Sequence, residues 1–274
     1  FAQVFNGIEK VANERGYKII SCISNESFQK EVETIEMLSN GSIDGFILSI
    51  AEETLLKKDY KHFEDIIDNG TPIVMFDRGA ENIKCDKVIT DDFNGAVNAV
   101  QHLTKTGHKN IAFVSTISNL NIGQKRKLGY LKGLELGNLD INKNLIIDIH
   151  EEDYKKYESI LAPIFSKNKV DAVITTDESS AIAAMKVAIE NGKIVPEDFS
   201  VISFSNGILA RHSSPKMTTV SQHGEIMGAT AAKILIDRLE NKDEKKDIET
   251  IVIKTDLVER KSTRGFKYFQ NESI

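Results

Sequence analysis

A protein of two doubly wound α/β lobes, each a parallel sheet with helices on both faces, is predicted by three observations. Apolar positions switch between helical and strand spacing from one end of the chain to the other. The strand-like runs are short and nearly continuously apolar, as in Gly45-Phe46-Ile47-Leu48-Ser49-Ile50, which marks strands covered on both faces. About five such runs fall in each half, a comfortable number for two sheets and less so for a single sheet of ten.

The elements follow in order. Val4, Ile8, Val11 and Ala12 recur at helical spacing, and Gly16 ends that pattern before a predicted strand at Tyr17-Lys18-Ile19-Ile20. Val32, Ile35, Met37 and Leu38 predict the next helix, stopped by Asn40-Gly41 ahead of the strand at 45–50. A helix through Phe63, Ile66 and Ile67 stops at Asn69-Gly70, and Thr71-Pro72 opens the strand Ile73-Val74-Met75-Phe76. Another strand-like stretch holds Cys85, Val88 and Ile89. In the second half, strands are predicted at 111–114, 145–149, 172–175 and 201–204. Helices are predicted at 95–106, 125–136, 154–166, 179–191 and 224–239, with good stops at Gly107, Gly137 and Asn191-Gly192. The tail differs: after a charged link at 240–247, two strand-like pieces follow at 249–254 and 257–260. Alternating strands and helices imply right-handed crossovers and parallel pairing.

Composition narrows the function. The 274 residues carry 35 Lys+Arg against 41 Asp+Glu, a net charge of −6, with 41% hydrophobic residues. Such a chain can bury a sizeable core and is neither disordered nor of low complexity. The densest basic stretch, Lys125-Arg126-Lys127, is too short to hold a phosphate backbone, so the chain itself is not read as a nucleic-acid binder. No apolar run is long enough for a membrane span, and no signal-peptide pattern opens the sequence. Cys22 and Cys85, both in or beside apolar strand-like segments, are read as small buried or half-buried hydrophobes of a protein in a reducing, cytoplasmic compartment.

Catalytic and metal-binding signatures are missing. The sequence has no G-x-G-x-x-G after a strand, no phosphate-binding G-x-x-x-x-G-K-[ST], no H-E-x-x-H, no C-x-x-C and no G-x-S-x-G. The histidines (His62, His102, His108, His150, His212 and His223) are scattered, with no helical i, i+4 pair for a metal. No catalytic residue, metal or cofactor is therefore assigned. In a doubly wound sheet, ligands bind beyond the carboxyl ends of the strands. The residues there are Asp77-Arg78-Gly79, Thr90-Asp91-Asp92-Phe93-Asn94, the polar loop 115–124 leading to Arg126, Thr175-Thr176-Asp177 and Ser205-Asn206-Gly207. Arginine forks and carboxylates of this kind suit a small polyhydroxylated or anionic solute. Local roles compete with that reading: Asp77 and Arg78 as an ion pair, Asp91 or Asp92 as a helix cap, Asp177 as an N-cap, Arg126 as a solvated charge and Phe204 as core.

Several stretches together resemble the lactose/galactose repressor family of bacterial transcription regulators. Gly107-His108-Lys109-Asn110-Ile111-Ala112-Phe113 matches its "GH..IAF" signature. In the family's order come Gly7-Ile8-Glu9, Ile43-Asp44-Gly45-Phe46-Ile47, Pro72-Ile73-Val74 through Asp77-Arg78, Arg126-Lys127-Leu128-Gly129-Tyr130, Val195-Pro196-Glu197-Asp198-Phe199, Ser214-Pro215 and Leu257-Val258-Glu259-Arg260-Lys261-Ser262-Thr263. The resemblance covers nearly the whole chain. It implies a type I periplasmic-binding-protein-like effector domain with three crossovers, near Gly107-His108, Gln222-His223 and Lys254. The N-terminal lobe would be 1–107 plus 224–253, and the C-terminal lobe 108–223 plus 254–274. It implies a homodimer that reaches operator DNA only through an N-terminal helix-turn-helix headpiece. That headpiece and the first strand of the lobe are absent before Phe1, so a trimmed N-terminus is expected.

Carried over residue by residue, the resemblance implies an effector site of Phe1, Asp77, Arg78, Asn94, Arg126, Thr176, Phe204, Ser205, Asn206 and Gln222. Phe1 and Phe204 would be aromatic walls, and the arginines would grip the solute. The family's "GFDD" is Ser203-Phe204-Ser205-Asn206 here, and its Asn-Asp is Thr176-Asp177. The lost carboxylate leads to the expectation of an electropositive pocket and of a sugar acid or sugar phosphate as effector. Two rivals share the fold: a secreted solute-binding protein feeding a transporter, and an α/β enzyme. The free cysteines and the 257–263 segment favour the repressor.

Overall fold

The computed structural model describes residues 1–151, 153–241 and 247–265 of the chain. Most of the charged link at 240–247 and the end of the chain beyond 265 lie outside the described residues. The chain splits into two compact units. Unit 1 comprises Phe1–Asp91 and His223–Lys254; unit 2 comprises Asp92–Gln222 and the chain from Thr255 onward.

Unit 1 holds α1 (Ala2–Glu14), α2 (Phe28–Leu38), β1 (Phe46–Leu48), α3 (Glu52–Lys57), α4 (Lys61–Asp68), β2 (Ile73–Phe76) and β3 (Asp86–Thr90). Unit 2 continues with α5 (Asp92–Lys105), β4 (Ile111–Ser115), α6 (Asn121–Leu136), β5 (Ile146–Asp148), α7 (Tyr157–Lys167), β6 (Ala172–Thr175), α8 (Glu178–Glu190), β7 (Ser200–Phe204), α9 (Ile208–His212) and β8 (Thr218–Ser221). The chain returns to unit 1 for α10 (Gly224–Glu240) and β9 (Thr250–Ile253), and ends its described part with β10 (Asp256–Val258) in unit 2.

Each unit is built on one sheet. In unit 1 the order is β1-β2-β3-β9, all parallel. In unit 2 it is β10-β8-β7-β6-β4-β5, parallel except for the antiparallel edge strand β10. Apolar side chains cover both faces. In unit 1, Phe63, Ile66, Ile73 and Met75 form one core, while Val74, Val88, Met227 and Leu235 form the other. In unit 2, Val114, Leu161, Val173 and Val201 pack on one side, and Phe113, Tyr130, Ile174 and Ile202 on the other. This double coverage is why the strands read as continuous apolar runs rather than as an alternation.

Three expectations change. The first division falls between Asp91 and Asp92, not at 107/108. The reason is packing: α5 lies on α6, and a Cβ on Gly129 would come within 2.2 Å of the Phe93 carbonyl oxygen. Gly107 does end α5, with its φ of 88°, but a helix stop is not a unit boundary. Second, Tyr17-Lys18-Ile19-Ile20 forms no strand. No described strand pairs with that segment, and Ile20 and Ile23 stay exposed. Third, Cys22 on the same segment is exposed, whereas Cys85 is buried and its thiol pKa is pushed up to about 11 by burial.

Candidate functional site

In unit 2 the carboxyl ends of the strands gather around Arg126. The side chain is buried, on the second turn of α6, and its Nε donates to Asp92 Oδ1 at 2.7 Å. Nη1 donates to the Thr176 carbonyl at 3.0 Å, just past the end of β6. The guanidinium lies over the ring of Phe204, the last residue of β7, with Cζ 4.3 Å from the centroid. Nη2 has no hydrogen-bond partner among the described residues. Three constraints thus fix a planar fork and leave one of its corners for an acceptor. The tight crossing at Gly129, one turn further on, holds α6 close enough to α5 for Arg126 to meet the first-turn Asp92.

The neighbouring positions hold this frame. Thr176 is buried, and its Oγ1 accepts from the Thr116 amide at 3.1 Å. Asp177 caps α8, accepting from the Ser180 amide at 2.9 Å, and takes the Thr116 hydroxyl at 2.8 Å. Ser205 adopts left-handed backbone, φ 80°, and its amide donates to the Val220 carbonyl. Asn206 Oδ1 accepts from Arg260 Nη2 at 2.6 Å, so this side chain is tied to the protein's own arginine. Asn94 sits exposed on the first turn of α5, and Gln222 is half-buried at the last position before the chain leaves unit 2.

Unit 1 presents a second set at the end of β2. Asp77 is left-handed, φ 59°, and its amide donates to the Val88 carbonyl at 2.9 Å. Arg78 follows, nearly buried, with Nη1 donating to Glu26 Oε2 at 2.7 Å. Its Nε is buried without a hydrogen-bond partner. Phe1 is exposed and meets Phe76 edge-on, centroids 5.7 Å apart.

The expected residues therefore divide. Arg126, Thr176 and Phe204 come together in unit 2, and Asp77 and Arg78 stand beside Phe76 and Phe1 in unit 1. Phe204 is fully buried and backs a guanidinium rather than standing as a free wall. Two carboxylates that the expectation of an electropositive pocket did not count pair with these arginines: Asp92 with Arg126, and Glu26 with Arg78. Asp92 was legible only as a cap candidate. Glu26 carried no sequence signal, because its pairing spans 52 positions. Among the described residues no group of three or more His, Cys, Asp or Glu could hold a metal ion, and no helix is long and apolar enough to cross a membrane.

Comparison with known proteins bears on the family and the fold. Residues 100–263 match the periplasmic binding protein-like domain. The HTH-type transcriptional repressor PurR of Yersinia enterocolitica is 32% identical over 267 residues, covering 96% of this chain and 75% of the relative. Among solved structures, the transcriptional regulator CelR–cellobiose complex superposes with a TM-score of 0.82 at 25% identity, over 95% of this chain and 78% of the other. The transcription regulator CcpA of Lactococcus lactis, 22% identical, shares the fold with a TM-score of 0.82 over 96% of this chain and 94% of its own. By these matches and by its two α/β units, the chain belongs to the lactose/galactose repressor (LacI/GalR) family of transcriptional regulators, as a periplasmic-binding-protein-like effector-binding domain.

Proposed function

We propose that this domain senses a neutral, sugar-like molecule, with Arg126 as the anchor in unit 2 and Arg78 with Asp77 as the second set in unit 1. The observation that carries the reading is the Arg126 fork: buried, backed by Phe204, charge-compensated by Asp92 and left with Nη2 unpartnered. A neutral hydroxyl can accept from that corner without an uncompensated charge being buried. The cellobiose of the structural relative supports the same class of ligand. Asn94, Ser205, Asn206, Gln222 and Phe1 complete the proposed contact set, with Asn206 acting through its tie to Arg260.

Effector occupancy would shift the equilibrium between two closure states of the domain and so alter operator binding through a helix-turn-helix headpiece. The shift can be no larger than the effector's affinity difference between those states. The working form is a cytoplasmic homodimer without catalytic activity. A second copy would cover the exposed apolar residues Ile182 and Ile189 of α8 and Ile208 and Leu209 of α9, whose starts are joined by the Glu178 carboxylate on the Gly207 amide. A thermal-shift screen of neutral sugars, sugar acids and sugar phosphates, followed by calorimetry on R126K, tests the reading. A neutral sugar should bind and lose at least about tenfold in affinity in R126K, because Lys cannot reproduce the fork. Binding of acids or phosphates alone, or affinity unchanged in R126K, would count against it.

A further inference from the structure

A turn in unit 1 places a carboxylate on Arg78 by way of an unfavourable backbone. Asn25 and Glu26 are both left-handed, with φ of 51° and 60°, and neither is glycine. Consecutive residues persist in that region only when their surroundings hold them there. The Glu26 carbonyl accepts from the Glu53 amide at 3.3 Å, and Glu26 Oε2 accepts from the Glu52 amide at 2.8 Å, at the start of α3. Phe28 N in turn donates to Glu53 Oε2 at 3.0 Å. The same Glu26 oxygen receives Arg78 Nη1 at 2.7 Å.

The pair is asymmetric. Arg78 is 11% exposed and Glu26 48%, so the carboxylate forms the open side of the pair. A hydroxyl arriving there can donate to Glu26 and accept from the guanidinium. An oxygen of a carboxylate, a sulfate or a fully ionised phosphate can only accept, and it meets a like charge already bound to the guanidinium it seeks.

We propose that Glu26 is a specificity-determining residue, which adapts Arg78 to neutral hydroxyl groups and excludes oxyanions. This rests on the reading of Arg78 as effector-facing and names the chemistry that the unit 1 set accepts. E26Q keeps an acceptor for the Glu52 amide while removing the charge.

The probe is inorganic sulfate, so the result does not depend on knowing the effector. Thermal melts of wild type, E26Q and the E26Q/R78Q double variant are run in rising sodium sulfate, with sodium chloride of equal ionic strength as reference. The double variant gives the non-specific salting effect. Wild type should follow that background, whereas E26Q should show an additional, saturable rise, with apparent sulfate affinity at least roughly tenfold above wild type. Wild type and E26Q responding alike, whether both strongly or neither, would overturn the proposal. E26A serves in the same design should E26Q not fold, with circular dichroism as the check. A cellobiose titration of R78Q separates the two readings: cellobiose bound by wild type and R78Q alike, beside a positive sulfate result, removes Arg78 from the effector set and leaves its tuning by Glu26 standing.

Discussion

Arg126 and Asp92 form a buried ion pair, Nε to Oδ1 at 2.7 Å, with side chains 4% and 2% exposed. Neither partner can be removed alone without leaving a charge in a desolvated place. D92A should therefore destabilise the protein by about 3–5 kcal/mol, the usual cost of orphaning one member of a buried pair. D92N, which keeps an acceptor, should cost less than D92A. Urea denaturation of both variants checks the order, and equal midpoints for wild type and D92A would contradict it.

Arg260 is the hub behind the β7 loop. Its Nη1 donates to the Met217 carbonyl at 2.7 Å and to Thr219 Oγ1 at 3.1 Å, and its Nη2 reaches Asn206. Its pKa is lowered, chiefly by burial and further by Arg211, so these hydrogen bonds hold a cation that burial disfavours. R260A should cost about 2–3 kcal/mol, the scale of lost hydrogen bonds to a charged group. R260K should recover only part of it, since an ammonium does not match a fork that serves β8, the residue before it and the loop after β7. Chemical denaturation of the two variants measures both quantities.

Gly129 sets the distance between α5 and α6. Alanine there gains roughly 1 kcal/mol of helix propensity. It must also clear the Phe93 carbonyl oxygen at 2.2 Å and the Ala96 methyl at 2.8 Å, and the first of these is backbone. Overpacking of this kind costs about 1–3 kcal/mol and moves helices. G129A should be net destabilising and should weaken effector binding by displacing Arg126 from Phe204. A melting temperature at or above wild type would show that the crossing can yield.

The fold was legible where the cause is local. Residues 172–175 read as a strand and appear as β6, and Asp177 read as an N-cap and caps α8. Tyr17-Lys18-Ile19-Ile20 has the right composition but no ladder partner among the described residues, and composition alone does not make a strand. The division near Gly107-His108 follows from the family resemblance, whereas the packing of α5 on α6 groups that helix with unit 2, and the surface on which a helix packs is not visible in sequence. At the site, Arg126 read locally as a solvated charge; only the register of surrounding motifs marked it, and only the fold shows Asp92 and Phe204 as its partners. Glu26 lies beyond both kinds of reading, since its role depends on a left-handed turn meeting a strand end far along the chain.

His102 and His108 predict a loss of stability in acid. His108 is buried, its Nδ1 lies 3.0 Å from the Leu103 carbonyl, and its Nε2 has no partner. The proton therefore sits on Nδ1 in the neutral ring, and a second proton at Nε2 would find no acceptor. His102 Nε2 is likewise buried without a partner, while its Nδ1 is 3.7 Å from Glu259. Burial lowers both pKa values. Glu259 opposes this at His102, where Lys105 adds to the lowering; Arg264 adds to it at His108, against the Leu103 carbonyl and Asp171. A folded-state pKa below the unfolded value of 6.5 means that the unfolded chain takes up protons first. The stabilisation is thus complete above 6.5 and declines as pH falls from there toward the folded-state values. Urea midpoints measured from neutral pH downward should drop through this window. H102N and H108N, compared with wild type across the same range, should each flatten the decline, and an unchanged slope in both would assign the acid sensitivity to other groups.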